Sequence, residues 1–498
     1  MNLEREVKLQ APAGFVLPDL AANGFSATIL DPRRVLAVYH DTEDLSLVRW
    51  GCSLRHREGE GWTVKLPLEG HGGGGALTRA EHVFPASPGS AAGRPPDEVL
   101  DLVRVYVRGR PVVPVARLRT LRRTVELADE FGRPALVVTD DEVSVMQGRR
   151  IASRFREVEV ELVSGVPEEA LRGVVARLLG SGAGPVDNVP KLRRALGPRA
   201  DAPPEVSVAE LGEAATVSEV VRRTLAASVV RLLRHDAGVR LGADPEEVHQ
   251  ARVATRRLRS DLRTFRGVLE PGWPEPLREE LRWLGGELGA VRDAEVLRDR
   301  LRGREALLEP GDRHAAEELL GRLDGRRAAA REHLLASIRE PRFDALADAL
   351  VVAANEPGVT PEVAERPAAE VLRSTLEGPW KHLRGAIDGI VDDPSDEALH
   401  VARIRAKRVR YAAEALAPVF GKRARAFEEA AAGLQDVLGE HQDAVVAGAW
   451  LRDAAATGAD GFVAGQLAAI EAGAAREARV AWPAAWKALT RKRLRFWT

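Results

Sequence analysis

Hydrophobic and polar residues alternate with a period of two along much of the first 200 residues. Such alternation predicts β-strands, each with one apolar and one polar face, joined at glycine, proline and aspartate turns. Two stretches with helical spacing, near Pro96–Val103 and Pro167–Leu179, interrupt the strands. The clearest strand-like runs are LEREVKL, CSLRHRE, WTVKLPL, PALVVTDDEVSVM and FREVEVELV.

The pattern changes at a segment rich in proline and alanine, GPRADAPPEVS, from Gly197 to Ser207. Beyond it, Ala, Leu, Arg and Glu recur with a helical period and almost no strand-like run remains, which predicts an all-α region. We therefore predict an α+β N-terminal domain over residues 1–197, a linker over 198–207 and an all-α domain over 208–498.

The helical region contains an internal repeat. VHQARVATRRLRSDLRTF, from Val248, matches LHVARIRAKRVRYAAEAL, from Leu399. Further along, LGGELGAVRDAEVL, from Leu284, matches LQDVLGEHQDAVVA, from Leu434, at almost the same offset. Two such copies predict a pair of pseudo-symmetric helical bundles, with repeat halves at about 208–355 and 360–498.

Composition excludes several classes of protein. The 73 Lys and Arg residues and 74 Asp and Glu residues give a net charge of −1, which argues against a diffusely basic nucleic-acid-binding coat. A hydrophobic share of 45% is inconsistent with wholesale disorder. The sequence lacks an apolar run long enough to span a bilayer, and its charged start is unlike a signal peptide. The single cysteine, Cys52, cannot form an internal disulfide or a cysteine metal cluster. We expect a soluble cytoplasmic protein.

Charged residues recur at every second position in five of the predicted strands, so each row shares one face. The ordinary interpretation is a set of solvated outer faces. Rows of both signs on so many strands instead favour a closed barrel lined by carboxylates and basic groups, which would hold divalent cations and phosphates. The rows are Glu4–Glu6–Lys8, Arg55–Arg57, Arg79–Glu81, Arg117–Arg119–Arg123 and Glu157–Glu159–Glu161.

The run LEREVKL carries Glu-x-Glu-x-Lys, the signature of the CYTH superfamily of triphosphate tunnel metalloenzymes, and residues 1–197 resemble that family throughout. Further blocks follow in family order: YHDTEDLSLVRWGCSLRHREGEGWTVKLP, TRAEHVF, REVEVELV and NVPKLRRAL. The resemblance implies an eight-stranded antiparallel closed β-barrel tunnel with flanking helices. It also implies that triphosphates are hydrolysed or cyclised there with Mg²⁺ or Mn²⁺.

The same resemblance assigns roles to matching positions. It implies that Glu4, Glu6, Glu159 and Glu161 ligate metal, with Glu157 on the same face. The residues implied to be catalytic and to cradle the phosphates are Lys8, Arg55, Arg57, Lys65, Arg79, Arg119 and Lys191, with Glu81 among them. Attack of a metal-activated water on the terminal phosphorus is the simplest step, because phosphoryl transfer needs charge neutralisation more than a covalent nucleophile.

Each copy of the helical repeat carries a stripe of basic residues on one face of its predicted helix. A solvated face usually mixes charge signs, and like charges one turn apart cost a few tenths of a kcal/mol per pair. Because this cost recurs at matching positions, a polyanion site is favoured over a solvated face. A metal site is disfavoured, since neither histidine has a second ligand at the right spacing. The residues are His249, Arg252, Arg256, Arg257, Arg259 and Arg263, and then His400, Arg403, Lys407, Arg408 and Arg410.

Both copies, over about residues 208–498, resemble the conserved histidine α-helical (CHAD) domain. That resemblance implies two similar helical bundles around a basic surface that binds inorganic polyphosphate through the residues just named. Asp293 and Asp443, which occupy matching positions, are expected to orient these basic residues or to cap helices. Few aromatic residues lie near the repeats, which argues against nucleic acid as a partner.

The leading hypothesis is metal-dependent hydrolysis of inorganic triphosphate or polyphosphate in the tunnel, with polyphosphate captured by the helical domain. The protein would then be cytoplasmic, with polyphosphate granules as one place of association. One alternative is a non-enzymatic polyphosphate-binding or targeting protein with an inactive tunnel. Another is an organic triphosphatase or nucleotide cyclase. The sequence leaves open the substrate length, the preferred metal and the oligomeric state.

Overall fold

A computed structural model of the chain describes residues 2–21, 24–68, 77–86, 93–163, 165–390 and 393–497. The chain divides into two compact units, residues 1–205 and 206–498. The first unit contains the strands and the second is helical. The predicted division into an α+β and an all-α region is therefore confirmed.

In the described residues of the N-terminal unit, nine strands form one antiparallel sheet. The sheet runs β3–β4–β5–β6–β1–β9–β8–β7, and β7 pairs back with β3. This confirms the predicted closed eight-stranded antiparallel barrel. A further strand, β2, pairs with the end of β7 outside the ring. The strands are β1 (Asn2–Gln10), β2 (Ser26–Ile29), β3 (Arg33–Asp41), β4 (Ser53–Arg57), β5 (Gly61–Pro67), β6 (Leu77–Phe84), β7 (Val113–Ala128), β8 (Pro134–Gln147) and β9 (Arg150–Leu162).

Alternation along the strands separates two environments in the barrel. The outward-facing apolar residues of β1, β7, β8 and β9, such as Leu9, Val138 and Val160, form a core with helix α4. Since successive side chains of a strand point to opposite faces, residues that alternate with this core, such as Lys8 and Glu159, point into the barrel. The helices of this unit are α1 (Ser46–Arg49), α2 (Asp97–Asp101), α3 (Arg104–Val107), α4 (Glu168–Gly180) and α5 (Lys191–Leu196), with a 3-10 turn at Gly197–Ala200.

The second unit is built from helices throughout its described residues. Buried leucine and alanine residues on successive helices form its core, for example around Leu320 and Leu451. No helix in the described parts of the chain is both long enough and apolar enough to cross a membrane. The helices are α6 (Val217–Leu241), α7 (Pro245–Thr264), α8 (Pro274–Glu305), α9 (Arg313–Ser337), α10 (Pro341–Asn355), α11 (Pro361–Ala364), α12 (Ala368–Val371), α13 (Glu377–Asp388), α14 (Asp396–Ala456) and α15 (Gly461–Leu489).

The sequence repeat has a different connection in each copy. In the first copy, the matching blocks lie on two helices, α7 and α8. In the second copy, they lie on the two segments of α14, which bends at Gly421 (φ 59°, ψ −135°). The bend follows Pro418, which lacks a backbone donor, and a positive φ is readily adopted by glycine. The second copy therefore replaces a loop with a bend.

Candidate functional site

The barrel encloses a cavity of about 190 Å³ whose lining is mostly charged. Strand pairing explains the lining, because Lys8 lies opposite Glu159 and Glu6 opposite Glu161 across β1 and β9. Ten residues predicted from the sequence line the cavity: Glu6, Lys8, Arg55, Arg57, Lys65, Arg79, Glu81, Glu159, Glu161 and Lys191. The structure thus brings together both carboxylates and basic groups from six elements.

The cavity centres on the Lys8 ammonium, which contacts two carboxylates. Its Nζ lies 3.0 Å from Glu6 Oε2 and also contacts Glu159 Oε1. Burial, together with the charge of Lys191, lowers the pKa of Lys8 to about 8. Burial alone would raise the pKa of Glu6, but the charges of Lys8 and its basic neighbours hold it well below its usual range. Arg79 Nη2 contributes to this, 2.8 Å from Glu6 Oε1. Glu6 is therefore ionised in the fold.

Lys191 enters the barrel from the start of α5 and contacts three carboxylates. Its Nζ lies 2.7 Å from Glu157 Oε1, 2.7 Å from Glu159 Oε1 and 3.0 Å from Asp141 Oδ2. Burial would raise the pKa of Asp141, but Lys191 and Arg122 hold it well below its usual range. Neither Asp141 nor Arg122 is among the residues predicted from sequence. The pairing of Asp141 with Glu157 across β8 and β9 places both on the inner face.

Arg119 was expected in the tunnel lining, and this placement is wrong. Arg119 pairs across the sheet with Leu36 and Ser144 and is exposed on the outer face. Because Leu118 is buried inside, the even-numbered residues of β7 point inward, and Arg122 lines the cavity in place of Arg119. The Arg122 guanidinium donates to Asp141 at 2.9 Å from Nε and 2.6 Å from Nη2.

The remaining predicted residues lie along β1 and β4–β6. Arg55 Nη2 is 3.0 Å from Glu81 Oε1, and Lys65 Nζ is 3.6 Å from the same oxygen. Arg57 pairs with Glu60 at 3.0 Å. The backbone of Glu4 pairs with β6, but its side chain lies outside the described residues. Glu81 thus lies between the basic side chains of Arg55 and Lys65, in the position among the phosphate-binding residues that the sequence resemblance implied.

The donor chemistry of the cavity fits a divalent cation. Within the described residues, no group of three or more Asp, Glu, His or Cys side chains is arranged as a metal site. However, Glu6 and Glu159 already share one cationic group, the Lys8 ammonium, and Glu161 lines the same cavity. Carboxylate oxygens are the hard ligands that Mg²⁺ and Mn²⁺ prefer. These three side chains can therefore contribute to holding such an ion.

In the helical unit, the basic stripes of the two repeats come together. Burial, then repulsion from Arg403, Arg256 and Arg252, lowers the pKa of Lys407 to about 8. Two of these arginines lie on α7, whereas Arg403 and Lys407 lie on α14. The ring of Tyr411 on α14 lies under the Arg256 guanidinium at 5.2 Å, which also joins the two helices. The two copies thus form one cationic cluster.

The two matching aspartates contact the basic stripes. Arg252 Nη2 lies 2.9 Å from Asp293 Oδ1, and in the second copy Arg403 Nη2 lies 3.5 Å from Asp443 Oδ1. Both aspartates lie in helix interiors, so of the two expected roles these contacts support orientation of arginines. His400 Nδ1 lies 2.6 Å from Gln442 Oε1.

The other stripe residues differ in their surroundings. Arg257 forms an ion pair with Glu414, and Arg410 Nη1 donates to Gln435 at 3.2 Å. Burial and then Arg292 lower the pKa of His249. Burial, followed by repulsion from neighbouring arginines, also lowers the pKa of Arg259, Arg263 and Arg408. Arg278 on α8 is a neighbour of all three, and it was not among the residues predicted from the sequence.

Comparisons with known proteins match both halves of the chain. A CYTH domain model matches residues 2–182, and a CHAD domain model matches residues 223–452. The uncharacterized proteins MT2285 and Rv2226 of Mycobacterium tuberculosis are each 33% identical over 488 residues, covering 91% of this chain and 89% of theirs. The chain belongs to the CYTH–CHAD family. Members of the CYTH family are triphosphatases or cyclases, and triphosphate tunnel metalloenzymes use divalent metal ions.

Three solved structures are similar to parts of this CYTH–CHAD protein. PptA from Streptomyces chartreusis is 26% identical, with a TM-score of 0.46 over 54% of this chain and 99% of its own. The CHAD domain from the plant Ricinus communis is 28% identical, with a TM-score of 0.45 over 57% of this chain and 96% of its own. A putative adenylyl cyclase from Hippeastrum, described as having a dominant triphosphatase activity, is 17% identical, with a TM-score of 0.26 over 38% and 93%.

Proposed function

We propose that this CYTH–CHAD protein is a metal-dependent hydrolase of inorganic triphosphate or polyphosphate, and that its CHAD domain binds inorganic polyphosphate. The observation that carries the proposal is the barrel cavity, in which basic groups and ionised carboxylates face one another. A cytoplasmic location, with association to polyphosphate granules, is part of the same proposal.

The basic side chains of the cavity suit a chain of phosphates. Phosphoryl transfer places charge on the terminal oxygens, and fixed cations stabilise that charge without reorganisation. Arg55, Arg57 and Lys65 approach the cavity from β4 and β5, and Arg79 and Lys191 from β6 and α5. Cations from several elements can therefore bind successive phosphates.

The carboxylates of the cavity would bind the metal ion. Glu6, Glu159 and Glu161 would hold Mg²⁺ or Mn²⁺, with Glu4 as a further ligand from the sequence match. When bound, such an ion supplies charge neutralisation and a more acidic water. Glu81, by contrast, accepts from Arg55 and Lys65. It is proposed to keep these basic groups in position.

The cavity lining favours an inorganic substrate. An adenine base needs aromatic or apolar contacts, and Tyr39 is the only aromatic residue among the described residues that line the cavity. Burial would raise the pKa of Tyr39, but Arg55 and Arg57 lower it, so this ring too lies in a cationic environment. Nucleotide triphosphatase or cyclase activity remains the second candidate, because CYTH family members include cyclases.

The basic cluster of α7 and α14 supports polyphosphate binding by the CHAD domain. Three arginines, Arg252, Arg256 and Arg403, lie close enough to Lys407 to lower its pKa, in addition to the effect of burial. Within the described residues, two of these four cations form an ion pair, Arg252 with Asp293 and Arg403 with Asp443. The cluster keeps a net positive charge, which a polyanion would neutralise.

The decisive assay measures phosphate release from inorganic tripolyphosphate with Mg²⁺ or Mn²⁺, beside ATP and long-chain polyphosphate. We expect release from tripolyphosphate that is lost with EDTA, and slower release from ATP. Release from no substrate, with long-chain polyphosphate still bound, would instead indicate a binding protein with an inactive tunnel. Release or pyrophosphate formation from ATP alone would favour the organic-triphosphate alternative.

A further inference from the structure

A further cavity, of about 260 Å³, lies between α6, α7 and α14 in the helical unit. Apart from Arg257, it does not involve the residues proposed to bind polyphosphate. Pro418, just before the bend of α14, lies on its wall, and Arg425 reaches it from beyond the bend. The polar groups that line it include Arg223, Arg257, Asp261, Tyr411, Glu414 and Arg425.

Three buried polar atoms of this cavity, on Arg257, Tyr411 and Glu414, lack a hydrogen-bond partner within the described residues. Tyr411 is only 5% exposed, and its hydroxyl oxygen is unpaired. Glu414 Oε2 is unpaired as well. Buried polar groups are almost always paired, and leaving one unpaired costs about 1–3 kcal/mol. Of these atoms, the Tyr411 hydroxyl can donate to an anion in the cavity.

The charges around the cavity favour an anion. Glu414 is already paired with Arg257, whereas Arg223 and Arg425 contact no carboxylate in the described parts of the chain. The three arginines outnumber the two acids, so the lining is net positive even with Asp261 ionised. Burial and the neighbouring Glu414 raise the pKa of Asp261 well above its usual range, so its carboxyl can carry a proton and donate.

The cavity departs from the symmetry of the repeat. Ser260 and Arg263 of the first copy align with Tyr411 and Glu414 of the second. Tyr411 and Glu414 therefore have no counterpart in the first copy, whereas Arg257 is matched by Arg408. Such an asymmetric set of polar groups is expected where one copy has a ligand that the other lacks.

We propose that this cavity binds a small oxyanion such as inorganic phosphate, held by Arg223, Arg425 and the Tyr411 hydroxyl. Its volume lies below the roughly 300–1,000 Å³ of typical pockets for organic ligands, which favours a compact ion. Charge-assisted hydrogen bonds from two guanidiniums and a phenol suit a tetrahedral oxyanion. Because Arg256 lies over the Tyr411 ring, the bound ion also fixes the ring on which one cation of the basic cluster rests.

Crystals of the full chain soaked with tungstate, a heavy tetrahedral oxyanion, test the position of the ion. We expect an anomalous peak within hydrogen-bond distance of the Tyr411 hydroxyl. Peaks confined to the barrel cavity or to the basic cluster would overturn the proposal, as would water alone in this cavity. The result is independent of the proposed hydrolase activity, because the tunnel lies in the other unit.

Equilibrium dialysis with labelled inorganic phosphate tests binding in solution. A full chain carrying Arg57→Ala and Lys65→Ala, which weaken anion binding in the tunnel, serves as background. Adding Arg425→Gln with Tyr411→Phe is expected to weaken binding at one site by about tenfold or more, since a hydrogen bond to a charged group contributes about 1.5–3 kcal/mol. Arg423→Gln removes the same charge from an exposed neighbour on α14 and is expected to leave binding unchanged. Equal binding by both variants would indicate binding at crystal concentration only and overturn the proposal.

Discussion

The ammonium nitrogen of Lys191 lies 2.7 Å from Oε1 of Glu157, a side chain that is wholly buried in the barrel. Lys191 is the first residue of α5, so this ion pair fastens the helix to the inner face of β9. The buried Asp141 contacts the same ammonium at 3.0 Å. One lysine thus neutralises carboxylates on two strands, and its loss would affect the fold as well as the chemistry.

Lys191→Ala is expected to destabilise the barrel by about 3 kcal/mol, since removing one partner of a buried ion pair leaves an uncompensated charge. Hydrogen exchange of the β8 and β9 amides in the full chain measures this effect locally. Arg199→Ala, an exposed residue shortly after the same helix, is the control and should leave exchange unchanged. Equal protection in both variants would contradict the role given to Lys191.

Arg122→Ala is expected to lower kcat/KM for tripolyphosphate by tenfold or more, because Arg122 lines the cavity and a charge-assisted contact to phosphate is lost. Arg119→Ala removes the same charge from the outer face of the same strand and should leave kcat/KM unchanged. Steady-state kinetics with saturating metal distinguish the two. Impairment confined to the Arg119 variant would show that the assignment of β7 faces is wrong.

The misplacement of Arg119 shows where sequence periodicity stops being informative. On β1 and β9, carboxylates occupy one face and valines the other, so Glu6 and Glu159 could be assigned to the inner face from the sequence. On β7, arginines occur on both faces, and charge alternation alone cannot distinguish them. The pairing of Arg122 with Asp141 on β8 decides the inner face, and pairing is a tertiary property. The strand β2 has no polar alternation and was not predicted.

Separate variants should uncouple the two proposed activities. Glu4→Gln with Glu6→Gln is expected to abolish phosphate release and to spare binding of long-chain polyphosphate. Arg256→Ala with Lys407→Ala is expected to weaken that binding and to leave tripolyphosphate hydrolysis intact. Phosphate release and binding of a labelled polyphosphate are measured on the same preparations. If the first pair keeps full activity, the tunnel assignment is wrong; if the second keeps full binding, the cluster assignment is wrong.

The affinity for polyphosphate should depend on pH through Lys407. Its pKa of about 8 means that the cation is present below pH 8 and is lost as the pH rises above it. We expect polyphosphate binding to weaken between pH 7.5 and about 9.5. The midpoint of this decrease should lie above the pKa of free Lys407, because a bound polyanion favours the charged lysine. Lys407→Arg keeps the charge and should flatten the profile. Titration of a labelled polyphosphate at constant ionic strength measures both proteins, and identical profiles would contradict the prediction.

Asp261→Asn is expected to increase the free energy of unfolding of the helical unit at pH 7. Because the pKa of Asp261 is higher in the fold than in the unfolded chain, the contribution of Asp261 to stability falls as the pH rises above about 3.9. The increase should therefore vanish near pH 3.5, as urea denaturation at both pH values would show. Asp436→Asn, at an exposed position of α14, is the control and should not alter this pH dependence.

The short strand β2 covers a part of β7 that the closed ring leaves unpaired. Strand β3 pairs with β7 only as far as Arg122, whereas β7 continues to Ala128. The strand β2 pairs with β7 from Val125 to Ala128, the part that β3 leaves uncovered. An uncovered strand edge offers free N–H and C=O groups to a second molecule and promotes aggregation. Closing the ring alone would leave this overhang open, and the ninth strand pairs it while presenting an edge of its own that is four residues long.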